Sequence, residues 1–112
     1  MTTEPKGRVL IVAGSDSGGG AGIQADIKAV TALGGFAMTA VTAITVQNTL
    51  GVFDVHPIPL KVIRDQISCV ASDLGVDTVK TGMLGSIETV ETVAEALEAD
   101  GAPRVDHTRG IG

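Results

Sequence analysis

Aromatic side chains are almost missing from this chain: of its 112 residues only Phe36 and Phe53 are aromatic, and there is no Trp or Tyr. A stacking platform for single-stranded nucleic acid therefore has nothing to be built from. Positive charge is scarce too. Eight Lys and Arg stand against thirteen Asp and Glu, a net charge of -5, and that field repels phosphate backbones and anionic lipid, so neither nucleic acid nor membrane is an expected partner. A single cysteine, Cys69, cannot form an internal disulfide, which fits a reducing compartment. No apolar run approaches roughly 18 residues, and the opening MTTEPKGR lacks the apolar stretch of a secretion signal. These absences predict a soluble, cytoplasmic protein.

What is present argues for one packed domain. Hydrophobic residues make up 44 % and charged residues 19 %, too apolar a balance for a disordered chain of this length. After Arg8, the run Val9 to Ala13 suits a strand covered on both faces. Gly14 to Gly22 reads GSDSGGGAG, a turn-rich loop, and Ile23, Ile27, Val30 and Leu33 then fall near helical spacing until Gly34-Gly35 stops them. Ala37 to Val46 predicts a second strand, ending in the polar cluster Gln47-Asn48-Thr49. Val52 to His56 alternates as a short half-exposed strand before the breaker Pro57-Ile58-Pro59. Ile63, Ile67, Val70 and Leu74 mark a helix from near Pro59 to Gly75, and Val76 to Thr81 a third main strand. Ser86 is the expected N-cap of a helix from Ile87 to Ala99. That helix has Ile87, Val90, Val93 or Ala94, and Leu97 inward, and Glu88, Glu91, Glu95 and Glu98 outward as a solvated face.

Strands alternating with helices predict an α/β fold, a mostly parallel sheet with flanking helices and right-handed crossovers. From Gly101 the sequence GAPRVDHTRGIG breaks the pattern, with only Val105 and Ile111 large and apolar. The reading is a partial domain over residues 7–100 and an irregular tail over 101–112, as if the fold stopped halfway.

Two nucleotide fingerprints can be tried on the glycine loop, and both fail. A P-loop pattern started at Gly14 reaches Gly19 but then finds Gly20 and Ala21 where Lys and Ser or Thr are required. Gly20, Gly22 and Ala25 satisfy a dinucleotide pattern too far from the strand for a tight turn, and the second strand ends with no acid to hold a ribose. Composition leaves two readings of the loop: backbone N–H groups approaching a ligand at a helix N-terminus, or plain flexibility. Asp26 says more. Counted from Ile23 at about 100° per residue it falls near 300°, between Val30 near 340° and Leu33 near 280°. An inward carboxylate needs partners, which favours a site facing the loop over a first-turn acid merely suiting the helix dipole.

Ligands of open parallel sheets bind beyond the carboxyl ends of the strands, here Gly14 to Gly22, Thr45 to Thr49 and Lys80 to Ser86. Gln47 offers an amide edge that matches a ring nitrogen beside an exocyclic amine, and Met83 an adaptable apolar wall. Taken singly, Gln47 reads rather as a turn residue satisfying backbone groups and Met83 as plain core. Lys80, alternating with Val79, either neutralises a local acid or faces the pocket. Cys69 lies across its helix from the apolar face and reads as an ordinary thiol. His56 and His107 have no second ligand at metal-like spacing, so no metal site is expected.

Three runs, AGSDSGGGAGIQADIKA from Ala13, TAITVQNTLGV from Thr42 and DTVKTGMLGS from Asp77, together resemble the N-terminal part of the hydroxymethylpyrimidine/phosphomethylpyrimidine kinases of thiamine biosynthesis, in the ribokinase-like superfamily. The resemblance covers about residues 7–100. It implies ATP-dependent phosphorylation of 4-amino-5-hydroxymethyl-2-methylpyrimidine and then of its monophosphate. It also implies a small-molecule pocket that includes Gly14, Ala21, Asp26, Thr45, Gln47 and Met83. ATP and Mg2+ are implied as well, but the family's nucleotide site, its acidic metal-associated residues and its GTGC anion hole lie in a later half with no counterpart here. No catalytic residue is therefore expected in this chain, nor turnover by it alone. Two other readings stand beside this one. The first is a pyridoxal or pyridoxine kinase of the same superfamily. The second is a non-catalytic α/β fragment that binds a ligand or associates with itself as a homo-oligomer.

Overall fold

A computed structural model of the chain describes residues 7–101 and, for the backbone, 105–107. β1 (Arg8–Ala13) leads through the glycine loop into α1 (Gly22–Ala32), which returns to β2 (Phe36–Val41). β3 (Ala43–Asn48) and β4 (Gly51–Pro57) follow, then α2 (Leu60–Asp73), β5 (Thr78–Thr81), α3 (Ile87–Ala99) and β6 (Val105–His107). The main sheet runs in the order β2-β1-β5-β6, and every pairing in it is parallel.

Alternation along the strands assigns the two faces of the sheet. Leu10, Val12, Met38, Ala40 and Val79 join Ile63 and Ile67 of α2 and Val93, Ala96 and Leu97 of α3 in one core. Ile11 and Ala13, one step out of phase, are equally buried on the other face, on the side of α1, which packs on β1 and β2. β1 is thus covered on both sides, which is why its apolar run does not alternate.

The single strand expected over 37–46 is two strands in two sheets. β2 pairs with β1 only as far as Val41 opposite Ala13, because there its parallel partner ends. Thr42, buried, donates its N–H to Ala13 O at 3.0 Å and accepts from Ile58 N at 3.0 Å. Beyond it β3 swings away and pairs antiparallel with β4, so Gln47 and Asn48, expected in the polar cluster ending the strand, lie in a strand themselves. The side chain of Gln66 occupies the outer edge of β2 at this bend, accepting from Val41 N at 2.9 Å and donating to Val41 O at 3.0 Å.

Ser86 caps α3 as expected, its Oγ accepting from Thr89 N at 3.1 Å, and all four glutamates face water. Three apolar expectations are corrected. Ile87 is 73 % exposed, because the first turn of α3 overhangs the core and Thr89 and Thr92 take the inward arc. Leu33 is 80 % exposed, because it follows the last turn of α1 rather than lying in it. Leu74, likewise just past α2, is exposed too. The pattern also does not break at Gly101: β6 adds a fourth parallel strand, pairing Val105 with Val79. Three residue pairs along the edge of β5 recruit a segment with one large apolar residue, which hydrophobic periodicity cannot detect. The remainder of the tail, including the His107 side chain, lies outside the described residues.

At the opposite end of the sheet from the glycine loop, Arg8 clamps Asp77. Its Nε and Nη2 reach the two carboxylate oxygens at 3.0 and 2.9 Å, its backbone N–H adds 2.8 Å, and Nη1 caps Leu74 O at 2.7 Å. The Arg8 guanidinium, then its N–H, hold the Asp77 carboxyl down at about 2 against an ordinary 3.8. A carboxyl depressed by folding stabilises above its unfolded value, so this contribution is intact above pH 3.8 and is lost as pH falls toward 2. Both side chains are nearly half exposed, which keeps the effect modest. Urea midpoints measured through this pH window should fall less steeply for Asp77→Asn than for the unmodified chain.

Candidate functional site

A cavity of about 670 Å³ opens where β1 and β5 end and β3 leaves the sheet, within the size range of small-molecule sites. Gly14, Ala21, Asp26, Thr45, Gln47 and Met83 all border it. Asp26 of α1 and Gln47 of β3 therefore share one space although 21 positions separate them in the chain.

The glycine loop that borders it is closed on itself by one of its own side chains. Asp16, only 6 % exposed, turns its carboxylate back on the loop and accepts from Gly18 N at 2.8 Å, Gly20 N at 3.0 Å and Ala21 N at 2.8 Å. Burial pushes the Asp16 carboxyl up, but the Gly18 N–H, the neighbouring Gln47 amide and the N–H groups of Ala21 and Gly20 outweigh it and hold it below the usual range. The N–H groups that could have cradled a phosphate are occupied by the chain's own carboxylate. Of the two readings left open for the loop, a ligand cradle is not what the N–H groups of Gly18, Gly20 and Ala21 serve here.

Residues on either side of Asp16 tie β3 to the loop. Ser15 N donates to Ala43 O at 2.9 Å, and Thr45 Oγ1 to Ser15 O at 2.7 Å. Ser17 Oγ donates to Gln47 O at 2.6 Å and accepts from Gln47 N at 2.8 Å. The backbone of Gln47 is thereby held against the loop, and the bulge at Val46/Gln47 falls at the cavity wall. Closing the loop requires Gly22, which has φ +61 and sits so near Gly14 that an added Cβ would meet Gly14 O at 2.5 Å.

Asp26 finds its partner in Lys80. Nζ of Lys80 lies 2.6 Å from Asp26 Oδ2, and the two side chains are 23 % and 20 % exposed. Both alternatives for Lys80 hold, since it neutralises an acid and borders the cavity. Met83, 66 % exposed, forms the rim rather than a buried wall.

Sequence reasoning missed Asp16 and the two β4 residues Val52 and Val55, which also border the cavity. Asp16 had a signal: an Asp followed at short range by glycines is the pattern of a side chain bonding its own backbone. Val52 and Val55 had none, because only the hairpin carries them to the site. Cys69 is exposed on α2 and away from the cavity.

Among the described residues no group of three or more His, Cys, Asp or Glu is placed to hold a metal ion. Asp16 is committed to N–H donors and Asp26 to Lys80, so these residues do not fit a Mg2+ site. No described helix is long and apolar enough to cross a membrane.

The family model for phosphomethylpyrimidine kinase matches residues 16–106. A hydroxymethylpyrimidine/phosphomethylpyrimidine kinase of Haemophilus influenzae is 57 % identical over 90 residues, 80 % of this chain and 34 % of that protein. This chain thus spans about a third of that relative's length. Among solved structures, a phosphomethylpyrimidine kinase from Clostridium difficile aligns with a TM-score of 0.86 at 43 % identity, over 91 % of this chain and 44 % of that one. The pyridoxal kinase of Staphylococcus aureus in complex with AMP-PCP and pyridoxal aligns at 0.80 and 38 % identity, over 90 % and 38 %. The fold is the ribokinase-like α/β arrangement of these kinases. Because the match runs from Asp16 through all three strand ends to β6, the chain belongs to the phosphomethylpyrimidine kinase family.

Proposed function

We propose that the cavity is the acceptor site of an ATP-dependent phosphotransferase acting on 4-amino-5-hydroxymethyl-2-methylpyrimidine and on its monophosphate. The observation that carries this is the placement of the Asp26 carboxylate and the Gln47 side-chain amide around a single, largely apolar space. Gln47 presents a donor and an acceptor side by side, the complement of a ring nitrogen beside an exocyclic amine. Asp26 supplies an acceptor for a further donor on the ligand. Gly14 and Ala21 keep the floor shallow enough for a flat ring, Thr45 lines the wall, and Met83 packs over the open side. ATP supplies the phosphoryl group in this reading. The described residues offer its outer phosphates no cradle, since Asp16 fills the loop.

The likeness to a pyridoxal kinase holding pyridoxal supports a second acceptor, pyridoxal itself. A cytoplasmic setting suits the lone, exposed cysteine. Self-association is a further expectation, resting on the exposed apolar side chains of the hairpin, among them Val46 and Phe53.

Calorimetric titration of the chain with the aminopyrimidine and with pyridoxal is the test, followed by a coupled ATP assay. Binding with preference for the aminopyrimidine, and no turnover above background, is the expected result. Equal indifference to both rings would remove the acceptor-site reading. Robust turnover would show that a nucleotide site had been overlooked.

A further inference from the structure

Asp26 reaches the cavity from α1 as a carboxylate among mainly apolar walls, a placement tolerated only with a partner. Among the described residues bordering the cavity Lys80 is the one cation. Lys28, on the same helix as Asp26, is committed elsewhere, donating to Gly19 O at 2.9 Å. The other carboxylate at the cavity, Asp16, is turned onto the loop. The bond from Lys80 uses Oδ2 of Asp26, and no described residue donates to Oδ1.

We infer that Lys80 is a positioning residue of the acceptor site: by holding Oδ2 and balancing its charge, it keeps Oδ1 facing the cavity as an acceptor for the ligand's hydroxyl. The inference rests on the acceptor-site reading. With the amide of Gln47 matched to the ring nitrogen and one N–H of the amine, a 4-amino-5-hydroxymethylpyrimidine keeps the second amine N–H and its alcohol as donors, and the alcohol is the one paired here with Oδ1. The pair is assembled across the fold, since β5 lies beside β1 and Lys80 is opposite Ile11 in register. Lys80 alternates with Val79, which faces the core, and so emerges on the side of α1.

The test compares two probes by calorimetry, 4-amino-5-hydroxymethyl-2-methylpyrimidine and 4-amino-2,5-dimethylpyrimidine, which lacks only the hydroxyl. The unmodified chain is expected to prefer the alcohol by about tenfold, the scale of one hydrogen bond to a charged group. Lys80→Met should erase most of that preference while leaving the dimethyl compound's affinity within about twofold, and Lys80→Arg should restore it. Lys80→Gln, which keeps a donor to Asp26 without the charge, guards against misfolding of the Met variant and should show an intermediate loss. A purely structural pair would weaken both probes in proportion. Proportional weakening, or an unchanged ratio in both Lys80→Met and Lys80→Gln, overturns the role given to Lys80. If the unmodified chain binds neither probe, the acceptor-site reading fails and takes this inference with it.

Discussion

A Gly22→Ala chain is expected to melt about 10 °C or more below the unmodified one, corresponding to a loss of about 3 kcal/mol. Two effects add at this position. The left-handed backbone at φ +61 disfavours any side chain, by about 1–2 kcal/mol. The new Cβ would also lie 2.5 Å from Gly14 O, a backbone atom that cannot step aside. That carbonyl already accepts from Ile23 N at 2.9 Å, so moving it breaks the bond that anchors the start of α1. Against a total stability of about 5–15 kcal/mol for a typical domain the loss is large. Gly20→Ala is the internal control, because its Cβ would stop 3.8 Å from Asp16 Oδ2 and its φ is not positive. Thermal denaturation of the two variants side by side is the measurement. If both melt alike, crowding between Gly14 and Gly22 does not govern the loop.

Removing the carboxylate of Asp16 should do less to global stability and more to the site. Asp16→Ala leaves the N–H groups of Gly18, Gly20 and Ala21 without their acceptor and Gln47 without its neighbour. Hydrogen exchange at those three amides is expected to accelerate by about tenfold or more, as local opening replaces the closed loop. Aminopyrimidine binding should fall by about tenfold as well, because Gln47 is positioned through the same loop. Asp16→Asn, which retains one acceptor oxygen, should lie between. The exchange measurement needs no ligand, so it tests the loop even if the pocket's occupant is another molecule. Unchanged exchange at all three amides would contradict the role given to Asp16. Its carboxyl, like that of Asp77, is held low by folding, so both act with the same sign: stability declines on acidification below the ordinary carboxylate range.

The elements that the sequence made legible are those whose reasons are local. Ser86 with its serine cap, the glutamates of α3 and the unbroken apolar run of β1 follow from capping, helical spacing and burial on two faces, and each was found where expected. The errors have a common cause. The end of β2 at Val41 is decided by where β1 ends, 28 residues earlier in the chain. β6 exists because β5 offers an edge, and Ile87 is exposed because α3 begins beyond the sheet it covers. None of these is a property of the segment itself.

The site divides along the same line. Asp26 could be suspected from its angle on a helix, and the three motif runs identified the family, because residue type and spacing along the chain carry that information. That Asp26 meets Lys80, that Asp16 fills the loop's donors, and that β4 brings valines to the cavity were decided by tertiary structure alone. An ion pair spanning 54 positions forms only after parallel strands have set β5 beside β1, and no short-range rule encodes that neighbourhood.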